Sequence, residues 1–169
     1  MLLNEQDTRN LWERVYEDLR FRPDSKYRGH SMLPWRRPFR LPRPRAVYAL
    51  DEMTQEQIGR MGPAVKAALL AATEPGDRLY ALDWQHSAFL YDPRDPEEQK
   101  SVRLEDEAGK YWAEVPLCYP DGDYSFFLDE NFRFGYLGHP WRKEIWVFGA
   151  ELLPEIAKIA PGLGWRKLR

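Results

Sequence analysis

The chain carries three histidines, His30, His86 and His139, and two of them lie in pieces that also hold acidic or turn-forming residues. His86 closes Leu82-Asp83-Trp84-Gln85-His86, His139 stands between Gly138 and Pro140, and Asp121 and Asp123 flank Gly122. Imidazoles and carboxylates are ligands for zinc, manganese or iron, so His86, His139, Asp121 and Asp123 gathered at one end of a sheet would hold a metal that activates water for hydrolysis. A second chemistry would use the same four residues as a general-base cluster. The plainer reading makes each histidine a hydrogen-bonded structural residue and Asp121-Gly122-Asp123 a turn. In extended backbone Trp84 and His86 share one face and Asp83 and Gln85 the other, which separates Asp83 from His86 unless a bulge or turn intervenes.

The same stretch supports a binding surface. Asp121, Asp123, Asp129 and Glu130 form an acidic tip beside Tyr124, Phe132 and Trp141. Carboxylates with aromatic anchors give tight, selective interfaces when desolvated, and an inhibitor that occludes an active site would present such a tip. A solubilising hairpin end has the same composition. A third surface is basic: Leu33 to Arg45 holds four prolines and five arginines, Arg36, Arg37, Arg40, Arg43 and Arg45, interleaved with Trp35 and Phe39. That stretch reads as a solvated connector with extended backbone, or as an arm for nucleic acid or another polyanion.

Other chemistries have little to work with. Cys118 precedes Tyr119-Pro120 with no neighbouring base to lower its pKa, so it is read as structural. No Gly-x-Ser-x-Gly elbow and no glycine-rich phosphate loop occurs, so no nucleotide cofactor is expected.

The elements that must position these residues follow from periodicity. Leu11, Trp12, Val15, Tyr16 and Leu19 make one face of a helix over 4–20 with Asn4 or Asp7 as its cap. Ala46 to Asp51 reads as a buried strand, and Thr54 with Gln57 is a capping box opening a helix that Gly62-Pro63 is expected to kink or split. Arg78 to Tyr91 reads as one strand and Asp92 to Gly109 as an exposed connection. Tyr111 to Leu117 and Tyr124 to Leu128 read as a hairpin closed by Asp121-Gly122, followed by strands at Phe132 to Leu137 and Glu144 to Phe148. Gly138-His139-Pro140-Trp141 breaks the former of these, which places His139 at the surface. A short helix over Ala150 to Ile159 and a basic tail complete an α+β chain, a mostly antiparallel sheet with helices packed on one face.

At 169 residues the chain suits a single domain, with the connector at 33–45 and the motif-bearing sheet region at 78–153. One cysteine excludes an internal disulfide framework and favours a reducing, cytoplasmic setting; no signal peptide or membrane span is expected. Twenty-five basic against 27 acidic residues leave a formal charge of −2, so no global basic field marks a nucleic-acid binder.

Tyr80-Ala81-Leu82-Asp83-Trp84-Gln85-His86, Pro120-Asp121-Gly122-Asp123-Tyr124 and Gly138-His139-Pro140-Trp141, with Val147-Phe148-Gly149 and Leu152-Leu153, resemble a family of uncharacterised bacterial proteins catalogued as a domain of unknown function. The resemblance implies no activity. The small, aromatic-rich build is also similar to immunity proteins that guard bacteria against polymorphic toxins, which implies a protein partner, a toxin or enzyme.

Overall fold

The computed structural model describes residues 1–23, 37–50, 53–84, 86–95, 101–106 and 109–169. They form two compact units, Asn4–Arg43 and a larger one made of Met1–Leu3 with Pro44–Arg169.

In the smaller unit α1 spans Glu5–Asp18, and the Asn4 side chain caps it by accepting from the Asp7 amide. The strand-like return at Pro38 to Arg40 is bonded to the helix exit, Arg22 N–H to Pro38 carbonyl and Arg40 N–H to Leu19 carbonyl, both 2.8 Å. Phe21 stacks on Phe39 and on Tyr16. The end of the arginine-proline stretch is thus packed backbone with Phe39 and Leu41 buried. Arg37, Arg40 and Arg43 are exposed; His30, Trp35 and Arg36 lie outside the described residues.

In the larger unit the order is β1 (Arg45–Ala49), α2 (Gln55–Ala71), β2 (Leu79–Asp83), β3 (Ala88–Tyr91), β4 (Ser101–Asp106), β5 (Gly109–Glu114), β6 (Ser125–Asp129), β7 (Gly135–His139), β8 (Glu144–Phe148), α3 (Leu152–Ile159), a 3-10 turn at Pro161–Leu163, and β9 (Arg166–Lys167). Seven strands make one antiparallel sheet in the order β3-β2-β6-β7-β8-β1-β9, and β4 and β5 make a separate two-stranded sheet. This is an α+β fold. Ala46, Tyr48, Ala81, Phe127, Tyr136, Ile145 and Val147 line one sheet face and share a core with Met61, Val65 and Leu69 of α2 and with Leu152 and Ile156 of α3. Leu82, Phe126, Leu137, Trp146 and Val47 on the other face are buried too.

Several expectations change. Arg78 to Tyr91 is two strands folded back on each other, with Asp83 N–H bonded to Ser87 carbonyl at 2.9 Å and His86 N–H to Asp83 carbonyl at 3.1 Å. The expected exposed connection contains β4. β5 pairs with β4 and not with β6, so Asp121-Gly122 is a loop leading into β6 rather than a hairpin tip. α2 runs unbroken through Pro63, and only one side of its second half is buried: Leu70 is exposed. The strand at β7 continues through Gly138 and His139, and Pro140 is what ends it. The basic tail adds β9 to the edge beside β1.

Candidate functional site

One end of the sheet collects most of the motif residues. Asp83 ends β2 directly opposite Ser125, which begins β6 and stands opposite Gly138 of β7. The Trp84 amide bonds the Tyr124 carbonyl at 3.0 Å, so Asp123 and Tyr124 lie against the β2–β3 turn. That turn closes on His86, whose Nδ1 lies 3.3 Å from Asp83 Oδ2. The spacing that separates these two residues in a strand unites them in a turn. Asp83-Trp84-Gln85-His86-Ser87 is a polar interruption in an apolar run, and strands average about 5–6 residues, so the 14 residues from Arg78 to Tyr91 divide into β2 and β3.

Asp83 and Asp123 are electrostatically coupled. Burial raises the Asp83 carboxyl above its ordinary value, opposed by the nearby His86. Burial raises Asp123 as well; the Tyr124 N–H bonded to its Oδ1 at 2.9 Å and His86 pull it back, while the Asp83 charge pushes it further up. Two partly buried carboxylates therefore share one exposed imidazole. Asp121, beside them in sequence, is exposed.

Behind this acidic edge is an aromatic layer. Tyr124 is fully buried, and its ring is met edge-on by Trp84 at 5.6 Å and Trp141 at 5.1 Å. His139 is buried with it, correcting the surface placement: Nε2 lies 3.1 Å from the Tyr124 hydroxyl, and Nδ1 accepts from the Arg142 amide at 3.3 Å. Trp84 and Trp141 are half-buried. Gly138 leaves room for the start of β6: a Cβ there would lie 2.6 Å from Ser125 Oγ and 2.9 Å from Pro120 Cβ.

The sequence-derived clusters are thereby divided. His139 is bonded to Tyr124 and His86 to Asp83, and among the described residues no three His, Cys, Asp or Glu side chains are grouped to hold a metal ion. Asp129 and Glu130 sit at the opposite end of β6, where Asp129 faces Leu79. Asp129 is buried and bonded to Arg133 through both carboxylate oxygens, at 3.0 and 2.6 Å. Tyr124, buried in the layer, offers no contact surface. What the structure brings together is Asp83, His86 and Asp123, backed by Trp84 and Trp141. Arg45, by contrast, lies on β1 opposite Phe148. Cys118 is buried, its thiol pushed up to about 12 by burial, and its carbonyl accepts from the Tyr136 hydroxyl at 2.7 Å.

A family described as protein of unknown function (DUF2716) matches residues 2–153. The chain belongs to that family. It is similar to the uncharacterised protein YxiI of Bacillus subtilis (strain 168), 30% identical over 160 residues that cover 89% of this chain and 88% of that protein. The matched span contains the whole acidic edge and its aromatic layer. No solved structure matches. Among the described residues no helix is long and apolar enough to cross a membrane.

Proposed function

We propose that this family member is a cytoplasmic protein-binding module of the inhibitor or immunity type, whose acidic edge receives a cationic group of a toxin or enzyme and occludes the site that bears it. The observation that carries the reading is the placement of Asp83 and Asp123 at one end of the sheet, Asp83 opposite Ser125 and Asp123 two residues before it. Each carboxyl is held above its ordinary value by burial, and Asp123 also by the charge of Asp83. Such a pair is unfavourable while it stands alone with one exposed imidazole. An incoming lysine or arginine relieves the repulsion and completes the bonding of both carboxylates. The rigid aromatic layer fixes the carboxylates, so little ordering is needed on binding.

The test is affinity capture from bacterial lysate at moderate salt, wild type beside Asp83→Asn/Asp123→Asn, read by mass spectrometry. A stoichiometric partner held by wild type, released by added salt and lost in the variant supports the reading. A partner retained equally by both proteins assigns binding to another surface, and the acidic-edge mechanism falls.

A further inference from the structure

β4 and β5 form a sheet of two strands, and neither pairs with a further strand among the described residues. Val102, Leu104 and Ala113 anchor one face of this hairpin on the core. The other face carries Arg103, Glu105, Lys110, Trp112 and Glu114, and Trp112 is 60% exposed. Leu117 just beyond β5 is 72% exposed, so the largest apolar exposure in this part of the chain surrounds one strand edge.

The direction of that edge can be read from one bond. The Glu114 carbonyl accepts from Ser87 Oγ at 3.0 Å, so it points away from β4. Peptide groups alternate sides along a strand, hence those of Trp112 and Lys110 point outward with it. No backbone partner for either is found outside the hairpin among the described residues. A strand edge is a template for another strand; charged side chains on it normally oppose pairing, unless the incoming strand sets opposite charges against them. This edge carries one charge of each sign, Lys110 and Glu114, placed symmetrically about Trp112.

We propose that β5 is the contact strand of a twofold dimer, two copies pairing antiparallel with Trp112 on the axis. In that register Trp112 meets the partner's Trp112, and Lys110 meets the partner's Glu114 at both ends. The outward groups of 110, 112 and 114 are then the ones that bond: each Trp112 N–H donates to the partner's Trp112 carbonyl, and each Lys110 N–H donates to the partner's Glu114 carbonyl. That carbonyl has a second lone pair beside the one used by Ser87. Side chains fall into alternating rows. Glu105, which lies 3.7 Å from Lys110, gives the row Glu105, Lys110, the partner's Glu114. Arg103, opposite Trp112, gives a row in which two indoles are flanked by two guanidiniums. The contact is isologous and closes at two copies.

The experiment is analytical ultracentrifugation of the full chain across a concentration series at low salt. Wild type is expected to dimerise with concentration. Glu114→Lys and Lys110→Glu each set like charges opposite at both ends of the ladder and should weaken the dimer by at least about tenfold. An equal mixture of the two variants restores opposite charges at both ends and should dimerise as wild type does. Trp112→Pro, which removes the outward N–H and the ring at a position where the edge tolerates proline, should abolish it. Wild type that stays monomeric throughout, a dimer indifferent to both charge reversals, or a mixture no tighter than its components would each overturn the proposal.

Discussion

Asp123 and Asp129 look alike in the sequence, each an aspartate near an aromatic residue at the start or end of an apolar run. Their surroundings make them opposites. Asp129 is buried under an arginine that also bonds Asp77 at 2.8 Å, and it accepts from the amides of Asn131 and Arg133. The two carboxylates hold the Arg133 guanidinium above the ordinary arginine range, and the Glu74 amide, with Arg133, holds Asp77 below the ordinary carboxylate range. Among the described residues no arginine or lysine is bonded to Asp123 in that way. The distinction rests on Arg133, four residues after Asp129; only its second tie, to Asp77, spans 56 residues and lies beyond any local pattern. Removing the guanidinium should expose the difference: Arg133→Ala leaves a buried carboxylate with amide donors only. Breaking a buried pair costs about 3–5 kcal/mol, reduced here to roughly 2–3 because Arg133 is partly exposed. At about 2–4 °C per kcal/mol the melting temperature should fall by some 4–12 °C, about 6–8 °C at mid-range. A fall below about 2 °C in a thermal melt would show that the pair adds nothing.

Elements were legible where the pattern was local. The Thr54–Gln57 capping box forms as the sequence indicates, with Thr54 N–H bonded to Gln57 Oε1 at 2.8 Å and Gln57 N–H to Thr54 Oγ1 at 3.2 Å. Asn4 caps α1, and β8 occupies Glu144–Phe148 as read. Pairing partners were not legible. Asp121-Gly122 is a strong hairpin signal, yet β6 is placed between β2 and β7 and β5 is left to β4, because strand partners are decided by long-range burial and not by the intervening turn. The end of α2 makes the same point. Its last turn carries no basic residue of its own, and Arg94, leaving β3, supplies the charge: Nη1 donates to Thr73 Oγ1 at 2.6 Å and Glu74 carbonyl at 3.1 Å, while Nη2 donates to the carbonyls of Leu70 and Thr73. A cation on terminal carbonyls is worth roughly 0.3–1 kcal/mol, and its hydrogen bonds add to that. Arg94→Ala should lower the melting temperature by about 2–4 °C, and Arg94→Lys, which lacks the planar fork, should recover only part of it. Full recovery by lysine in a melting experiment would mean that charge alone caps the helix.

At the scale of the whole molecule the acidic edge is a stability cost retained by the larger unit. A carboxyl whose folded-state value is raised prefers its proton in the folded protein. Its contribution to stability is therefore full below the ordinary value of 3.8 and is lost as the pH climbs through the raised value. Asp83→Asn/Asp123→Asn cannot titrate, and an asparagine at 123 can still accept the Tyr124 amide. The exposed ion pair with His86 that the variant gives up contributes little. The difference in melting temperature, variant minus wild type, should thus stay flat below about pH 3.8 and rise through the weakly acidic range. It should level off in the variant's favour above that range. Taking a difference cancels the other carboxylates, including Asp77, whose lowered value acts in the opposite sense. Parallel curves across the whole pH range would mean that the two aspartates do not burden the fold, and the argument that they await a cation would lose its energetic basis. A rising difference together with loss of partner capture in the same variant would mark the edge as one kept for binding at the expense of stability.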